Sequence, residues 1–338
     1  MIRSFCLLVA VVSAAWSQCW TKQGCTERFP YGPVGRFTLI YRSFALDRPR
    51  AEIRRAVIVI HGAGRNADDY FVSAMAGAML AGRLEDTLVI APRLASRHGR
   101  CKDPMAEGEI SWTCGGPQDW RRGGQAAEEK TLTSFGLIDE MIRALARKDR
   151  FPNLELIIVS GHSAGGQFVH RYAAANQVDG KLAVRMRYVV ANPSSYLYLD
   201  DTRLPFGASC TAEGKCTENF VRYPDAENCT SYNRWHYGLE QKSGYAASVS
   251  DENLRRQLLS REVVYLLGDL DTLPLAGFDA SCPAMAQGPH RLARGLNYWS
   301  YVKAKFNAGH KLVIVPFCGH NGRCMYTADV ALPVLFGD

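Results

Sequence analysis

Leu154-Glu155-Leu156-Ile157-Ile158-Val159-Ser160 leads without a break into Gly161-His162-Ser163-Ala164-Gly165-Gly166, and a helical stretch follows to about Asn176. The first segment is a continuous apolar run, which suits a strand buried on both faces. The second contains G-x-S-x-G directly after a strand and directly before a helix, the context a nucleophile elbow requires. Glycine on either side of the serine leaves room for a tightly wound backbone and its neighbouring strands. The serine itself is forced into a strained conformation with its hydroxyl raised above the sheet. The helix that begins there offers free N–H groups and a dipole that favour developing negative charge. Ser163 is therefore the candidate nucleophile. The five-residue pattern alone arises by chance, and its position between strand and helix is what gives it weight.

Outward from this elbow the chain alternates short β-branched runs with longer helical patterns. The patterning predicts strands over 36–44, 54–60, 87–91, 187–191, 261–267 and 311–316, and helices over 67–84, 130–147, 289–306 and 325–336. Such alternation implies βαβ units with right-handed crossovers, giving an α/β fold with a mainly parallel central sheet and helices on both faces. Residues 193–258 break the rhythm and are expected to form a disulfide-containing insertion or cap on a single domain, 18–338. In a sheet of this kind, function gathers in the loops beyond the carboxyl ends of the strands.

A serine hydroxyl needs a base within hydrogen-bond reach, and histidine suits. Of the eight histidines, His170, His236, His290, His310 and His320 follow Ser163. The order nucleophile, acid, histidine selects His320, which follows the strand at 312–316 on the glycine-flanked loop Phe317-Cys318-Gly319-His320-Asn321-Gly322. The acid should follow the preceding strand, where Gly268-Asp269-Leu270-Asp271-Thr272 presents two aspartates. Asp271 stands a short loop beyond the strand and is favoured as the orienting carboxylate. Asp269 is the alternative, or else a cap for the loop's N–H groups. Two N–H donors are needed for an oxyanion. Ala164 supplies one, and His61-Gly62-Ala63-Gly64, after the strand at 54–60, supplies the other from Ala63, with Gly64 as alternative. His61 is expected to buttress that loop. Tyr196, Tyr232 and Trp235, in the insertion, are candidates for a substrate subsite or for cap core.

Composition narrows the class. The chain has 338 residues, 47% hydrophobic and 22% charged, as in a soluble globular protein. Its net charge of +7 is diffuse rather than clustered, which gives no footprint for nucleic acid. Arg3, the short apolar run from Cys6 to Val12 and the small residues of Ala15-Trp16-Ser17 predict a signal peptide cleaved near Ser17, and hence a secreted protein without stable membrane insertion. Eleven cysteines less Cys6 leave ten, an even count that suggests a disulfide framework. The short-range pairs Cys19–Cys25, Cys101–Cys114 and Cys318–Cys324 are expected, with Cys210, Cys216, Cys229 and Cys282 forming the other two. No CxxC occurs, so no metal site is expected. Asn228-Cys229-Thr230 is an N-glycosylation sequon.

The loop from His61 to Gly64, the elbow from Gly161 to Gly165, the Gly268–Asp271 loop and Gly319-His320-Asn321 occur in the order seen in α/β-hydrolases, and the resemblance spans about residues 36–337. The chain looks most like extracellular esterase-like members. Ala191-Asn192-Pro193-Ser194-Ser195 and Tyr232-Asn233-Arg234-Trp235 resemble features of one such subgroup. The resemblance implies a serine hydrolase that works through an acyl-enzyme on a small-molecule or polymer ester, with no metal, no organic cofactor and no protein partner in evidence. A secreted carboxylesterase is the leading reading, and a peptidase or polymer depolymerase on the same residues is the alternative. A noncatalytic binding protein on this fold is the third, disfavoured because both serine and histidine are present.

Overall fold

The computed structural model describes residues 18–338 except Thr21, Gln23 and Ala276. The expected signal peptide, 1–17, lies outside the described residues. Eight strands form one sheet: β1 (Thr26–Pro30), β2 (Phe37–Arg42), β3 (Arg55–Ile60), β4 (Thr87–Pro92), β5 (Leu156–His162), β6 (Arg185–Ala191), β7 (Glu262–Gly268) and β8 (Lys311–Val315). Their spatial order is β1-β2-β4-β3-β5-β6-β7-β8. β2 is antiparallel to both neighbours, and every pair from β4 to β8 is parallel. The sheet is therefore mainly parallel, as the alternation of patterns predicts.

Side-chain alternation along the strands feeds two cores. Ala56, Ile58 and Ile60 of β3 join one apolar cluster with Phe135 and Ile138 of α2 (Ser134–Leu145), Phe168 of α3 (Ala164–Ala175), Leu254 of α4 (Asp251–Ser260) and Tyr298 of α5 (Arg291–Phe306). Val57 and Val59 point to the other face. There they join Phe71 of α1 (Ala67–Leu80), Met325 of α6 (Gly322–Thr327) and Phe336 of α7 (Leu332–Phe336). Both faces are covered, which is why the central strands are apolar throughout rather than alternating.

Three boundaries differ from expectation. The single C-terminal helix predicted over 325–336 is two, because Pro333 lacks an N–H and sits in the first turn of α7. β1 was not anticipated, since its five residues Thr-Glu-Arg-Phe-Pro carry little apolar pattern, and pairing with β2 forms it. The irregular segment 193–258 ends inside α4, a helix packed on α3 and capped by the Ser250 side chain, which accepts from the Asn253 amide. The short periodic stretch of α4 was hidden by the irregular run before it.

Five disulfides are present. Cys19–Cys25, Cys101–Cys114 and Cys318–Cys324 form as expected, and the remaining cysteines pair as Cys210–Cys216 and Cys229–Cys282. The Cys229–Cys282 bridge, 53 residues apart in sequence, ties the 193–250 segment to the chain just before α5. No helix among the described residues is long and apolar enough to cross a membrane.

Candidate active site

Ser163 stands at the carboxyl end of β5 with φ 60° and ψ −117°, in a region of backbone space that non-glycine residues rarely occupy. The neighbouring glycines explain how the turn is tolerated. A Cβ on Gly161 would lie 2.4 Å from the Gly165 carbonyl, and one on Gly165 would lie 2.1 Å from the Ile60 carbonyl oxygen. The elbow thus presses on β3 with no room for any side chain. The Ser163 amide donates to the Ala191 carbonyl at 2.9 Å, which holds the turn against β6.

Two further loops converge on this serine. His320 Nε2 lies 2.9 Å from Ser163 Oγ, and its Nδ1 lies 2.7 Å from Asp271 Oδ2. With Nδ1 donating to the carboxylate, Nε2 carries the lone pair and accepts from the serine hydroxyl. Asp271 is 1% exposed. Asp269, the alternative acid, makes no contact with His320: its amide bonds to the Val315 carbonyl, and its Oδ1 has no hydrogen-bond partner among the described residues. The other histidines that follow Ser163 do not reach it. His170 accepts from the Leu197 amide, His310 contacts Tyr265 and the Leu258 carbonyl, and His290 caps α5.

The base loop is fastened at several points. The Cys318–Cys324 bridge closes a ring around His320. The Leu270 amide donates to the Cys318 carbonyl at 3.0 Å, joining the acid loop to the base loop. Asn192, at φ 43°, accepts from the Gly268 amide at 2.9 Å and donates to the Gly319 carbonyl at 3.4 Å, which links the end of β7 to the same loop. Arg291 is fully buried with Nη1 3.6 Å from the other Asp271 oxygen, and its Nε donates to Ser194 Oγ. Its cation stands beside the carboxylate on the side away from His320.

The loop after β3, the candidate oxyanion loop, is held by His61. His61 Nε2 accepts from the Leu94 amide at 2.9 Å, so Nδ1 carries the proton and donates to the Gly62 carbonyl. Burial pushes His61 down to about 4, and it is neutral in this buttressing role. The amides of Ala63 and Ala164 have no hydrogen-bond partner among the described residues, which leaves both as available donors. Arg65 bonds to the Ala63 carbonyl and to Asp103, fixing the loop's outer turn.

Beneath these loops lies Tyr70 of α1, which the sequence did not flag. Its hydroxyl is 3.0 Å from His162 Nδ1. A Cβ on Gly62 would fall 2.7 Å from that oxygen, and one on Gly322 would fall 3.2 Å from the ring. The His162 ring packs against His320 with centroids 4.6 Å apart and planes tilted by 38°. Burial holds it well below the ordinary histidine range, with His320 and Arg291 adding to the effect. Tyr70 therefore touches the oxyanion loop, the elbow and the base loop at once.

The aromatic candidates of the insertion, offered as substrate subsite or cap core, are buried in the core and none contacts Ser163 or His320 among the described residues. Tyr196 is fully buried against His170, Tyr265 and Tyr298. Trp235 belongs to the main apolar cluster. Tyr232 is 7% exposed and packs on Tyr223 and the Arg203 guanidinium. Asn228 is exposed, next to the buried, disulfide-bonded Cys229.

A mainly parallel eight-stranded sheet, a strained serine on the turn after β5, and acid and histidine on the loops after β7 and β8 define the α/β-hydrolase fold. Solved structures share it. The chain is similar to the poly(3-hydroxybutyrate) depolymerase LpqC of Bordetella parapertussis, with a TM-score of 0.60 and 22% identity over 91% of this chain and 89% of that one. It is also similar to poly(aspartic acid) hydrolase-1 of Sphingomonas sp. KT-1, with a TM-score of 0.56 and 23% identity over 92% and 98% of the two chains. No family model matches the chain, and no match is found among curated proteins.

Proposed function

We propose that this protein is a secreted serine hydrolase acting on carboxylic esters, with Ser163 as nucleophile, His320 as base and Asp271 as the orienting acid. The observation that carries the reading is the unbroken relay from Ser163 Oγ to His320 Nε2 at 2.9 Å and from Nδ1 to Asp271 Oδ2 at 2.7 Å. His320 takes the hydroxyl proton as Oγ attacks the ester carbonyl carbon. The oxygen of that carbonyl becomes an oxyanion facing the Ala164 and Ala63 amides, at the N-terminus of α3. Collapse breaks the bond to the alkoxide, which leaves with the proton from His320. Water, deprotonated by the same imidazole, then hydrolyses the acyl-enzyme. Asp271 stabilises the imidazolium in both halves.

Secretion is supported by the N-terminal pattern of Arg3 and the apolar run to Val12, together with five disulfides, which persist in oxidising compartments. A polymer depolymerase is the second reading. It is favoured because both similar structures bear the names of polymer hydrolases, one of a polyester and one of a poly(amino acid). A noncatalytic role is disfavoured by the intact contact between Ser163 and His320. The test is turnover of p-nitrophenyl acetate, with a pre-steady-state burst equal to the enzyme concentration. Hydrolysis that persists in Ser163→Ala overturns the assignment, and wild-type protein that hydrolyses no activated ester overturns the esterase reading.

A further inference from the structure

Resting on the esterase reading, the geometry points to an apolar, uncharged ester as the substrate class, gripped by exposed side chains of the acid and base loops. These two loops carry Asp271 and His320 to Ser163. The acid loop leaves β7 at Gly268, and its Leu270 amide is bonded to Cys318 of the base loop. It then arches across to the oxyanion loop, where a Cβ on Gly277 would stand 3.9 Å from the Ala63 Cβ. The arch therefore runs from the base side of the site to the oxyanion side.

Its outer residues are apolar and face water. Leu270 is 55% exposed, Leu273 59% and Leu275 50%, and Phe317 at the start of the base loop is 85% exposed. Phe317 also holds φ at 60°, a left-handed conformation that costs energy for a bulky residue. The strain is set at a position where the ring finds no core to fill. Between Thr272 and Phe278, and between Pro316 and Gly322, the sequence has no Asp, Glu, Lys or Arg. That uncharged collar belongs to a chain with 40 basic and 33 acidic residues. Exposed apolar side chains of this sort mark a binding surface, and here they are carried by the two loops that bring Asp271 and His320 to Ser163. An ester held by its carbonyl at the oxyanion loop would lay its acyl or alcohol chain along this collar.

The test is a p-nitrophenyl ester series from acetate to octanoate. A fully buried methylene is worth about fourfold in binding, and a collar open to water on one side gives about twofold. Six methylenes then raise kcat/KM on the order of 60-fold. Phe317→Ser combined with Leu273→Ser should lower the octanoate-to-acetate ratio of kcat/KM by about tenfold. Leu80→Ser, at the far end of α1 and 62% exposed, serves as the control and leaves that ratio as in the wild type. A ratio near one in the wild type, or a ratio that the double variant does not lower, overturns the inference while acetate turnover leaves the esterase reading intact. Failure of acetate turnover, read in its own arm, would remove that reading and this inference with it.

Discussion

Replacing Asp271 by Asn removes the charge that faces His320 and leaves the shape nearly unchanged. The carboxylate oxygen is 2.7 Å from Nδ1 and the side chain is 1% exposed, so solvent screens little of the interaction. When His320 takes the serine proton, its positive centre stands about 4 Å from the carboxylate centre. At an effective dielectric near 20, that pair is worth about 4 kcal/mol. Each 1.36 kcal/mol is a factor of ten, so the charge alone accounts for about 10^3 in kcat. An asparagine that turns its N–H toward Nδ1 donates there and holds His320 in the tautomer protonated on Nε2, which moves the loss toward about 10^4. Arg291, 3.6 Å from the second oxygen, also loses its counter-charge, so the variant should melt at a lower temperature. The assay is kcat on p-nitrophenyl acetate well below the melting temperature, with Asp269→Asn as comparator. Asp269 does not contact His320, and its variant should keep kcat within about threefold of wild type. The reasoning is refuted if Asp271→Asn retains more than a tenth of wild-type kcat, or if Asp269→Asn is the more damaged of the two.

Tyr70→Phe keeps the ring between Gly62 and Gly322 but removes the hydroxyl that bonds to His162. One lost buried hydrogen bond of 1–3 kcal/mol predicts a fall in kcat of about tenfold with KM within twofold, measured by steady-state kinetics. Removing the bridge around His320 with Cys318→Ala and Cys324→Ala together should cost about 2 kcal/mol of stability by urea denaturation and lower kcat, as the closed loop regains freedom. His61 and His310 are each pushed down to about 4 by burial. The unfolded chain takes up their protons from about pH 6.5, whereas the folded chain does not until about pH 4. Stability present above pH 6.5 is therefore lost as the pH falls through that window, at about 1.4 kcal/mol per pH unit for each histidine. The urea midpoint should drop steadily between pH 7 and pH 5, and a flat midpoint would count against the buried neutral state of both.

Much of this architecture is legible in the chain because long apolar runs and strand-to-helix turns are local features. Val57 to Ile60 and Leu156 to Val159 announce buried strands, and Gly161 to Gly165 announces the elbow between them. His320 could be found by elimination, because the strand before it and the glycines around it place it at the correct sheet edge. Asp271 over Asp269 is a finer matter. Two residues on one short loop differ only in which way the turn aims them, and that direction is set by the Leu270–Cys318 bond across loops. Tyr70 and Arg291 carry no motif, and the Ala191–Ser195 run does not say what Asn192 touches. Each acts through contacts with segments distant in sequence, which no local pattern records. The aromatic residues of the insertion fit a subsite or cap core equally well by composition, and packing decides between them. Tyr196 and Trp235 have the composition of a sugar or acyl subsite, yet the packing of α5 against 193–250 encloses them.

The most direct test of the account is covalent. Treated with a fluorophosphonate, the wild-type protein should gain one adduct, and peptide mass spectrometry should place it on Ser163. Ser163→Ala should gain none under the same conditions. An adduct on another residue, or undiminished labelling of Ser163→Ala, would contradict the central claim.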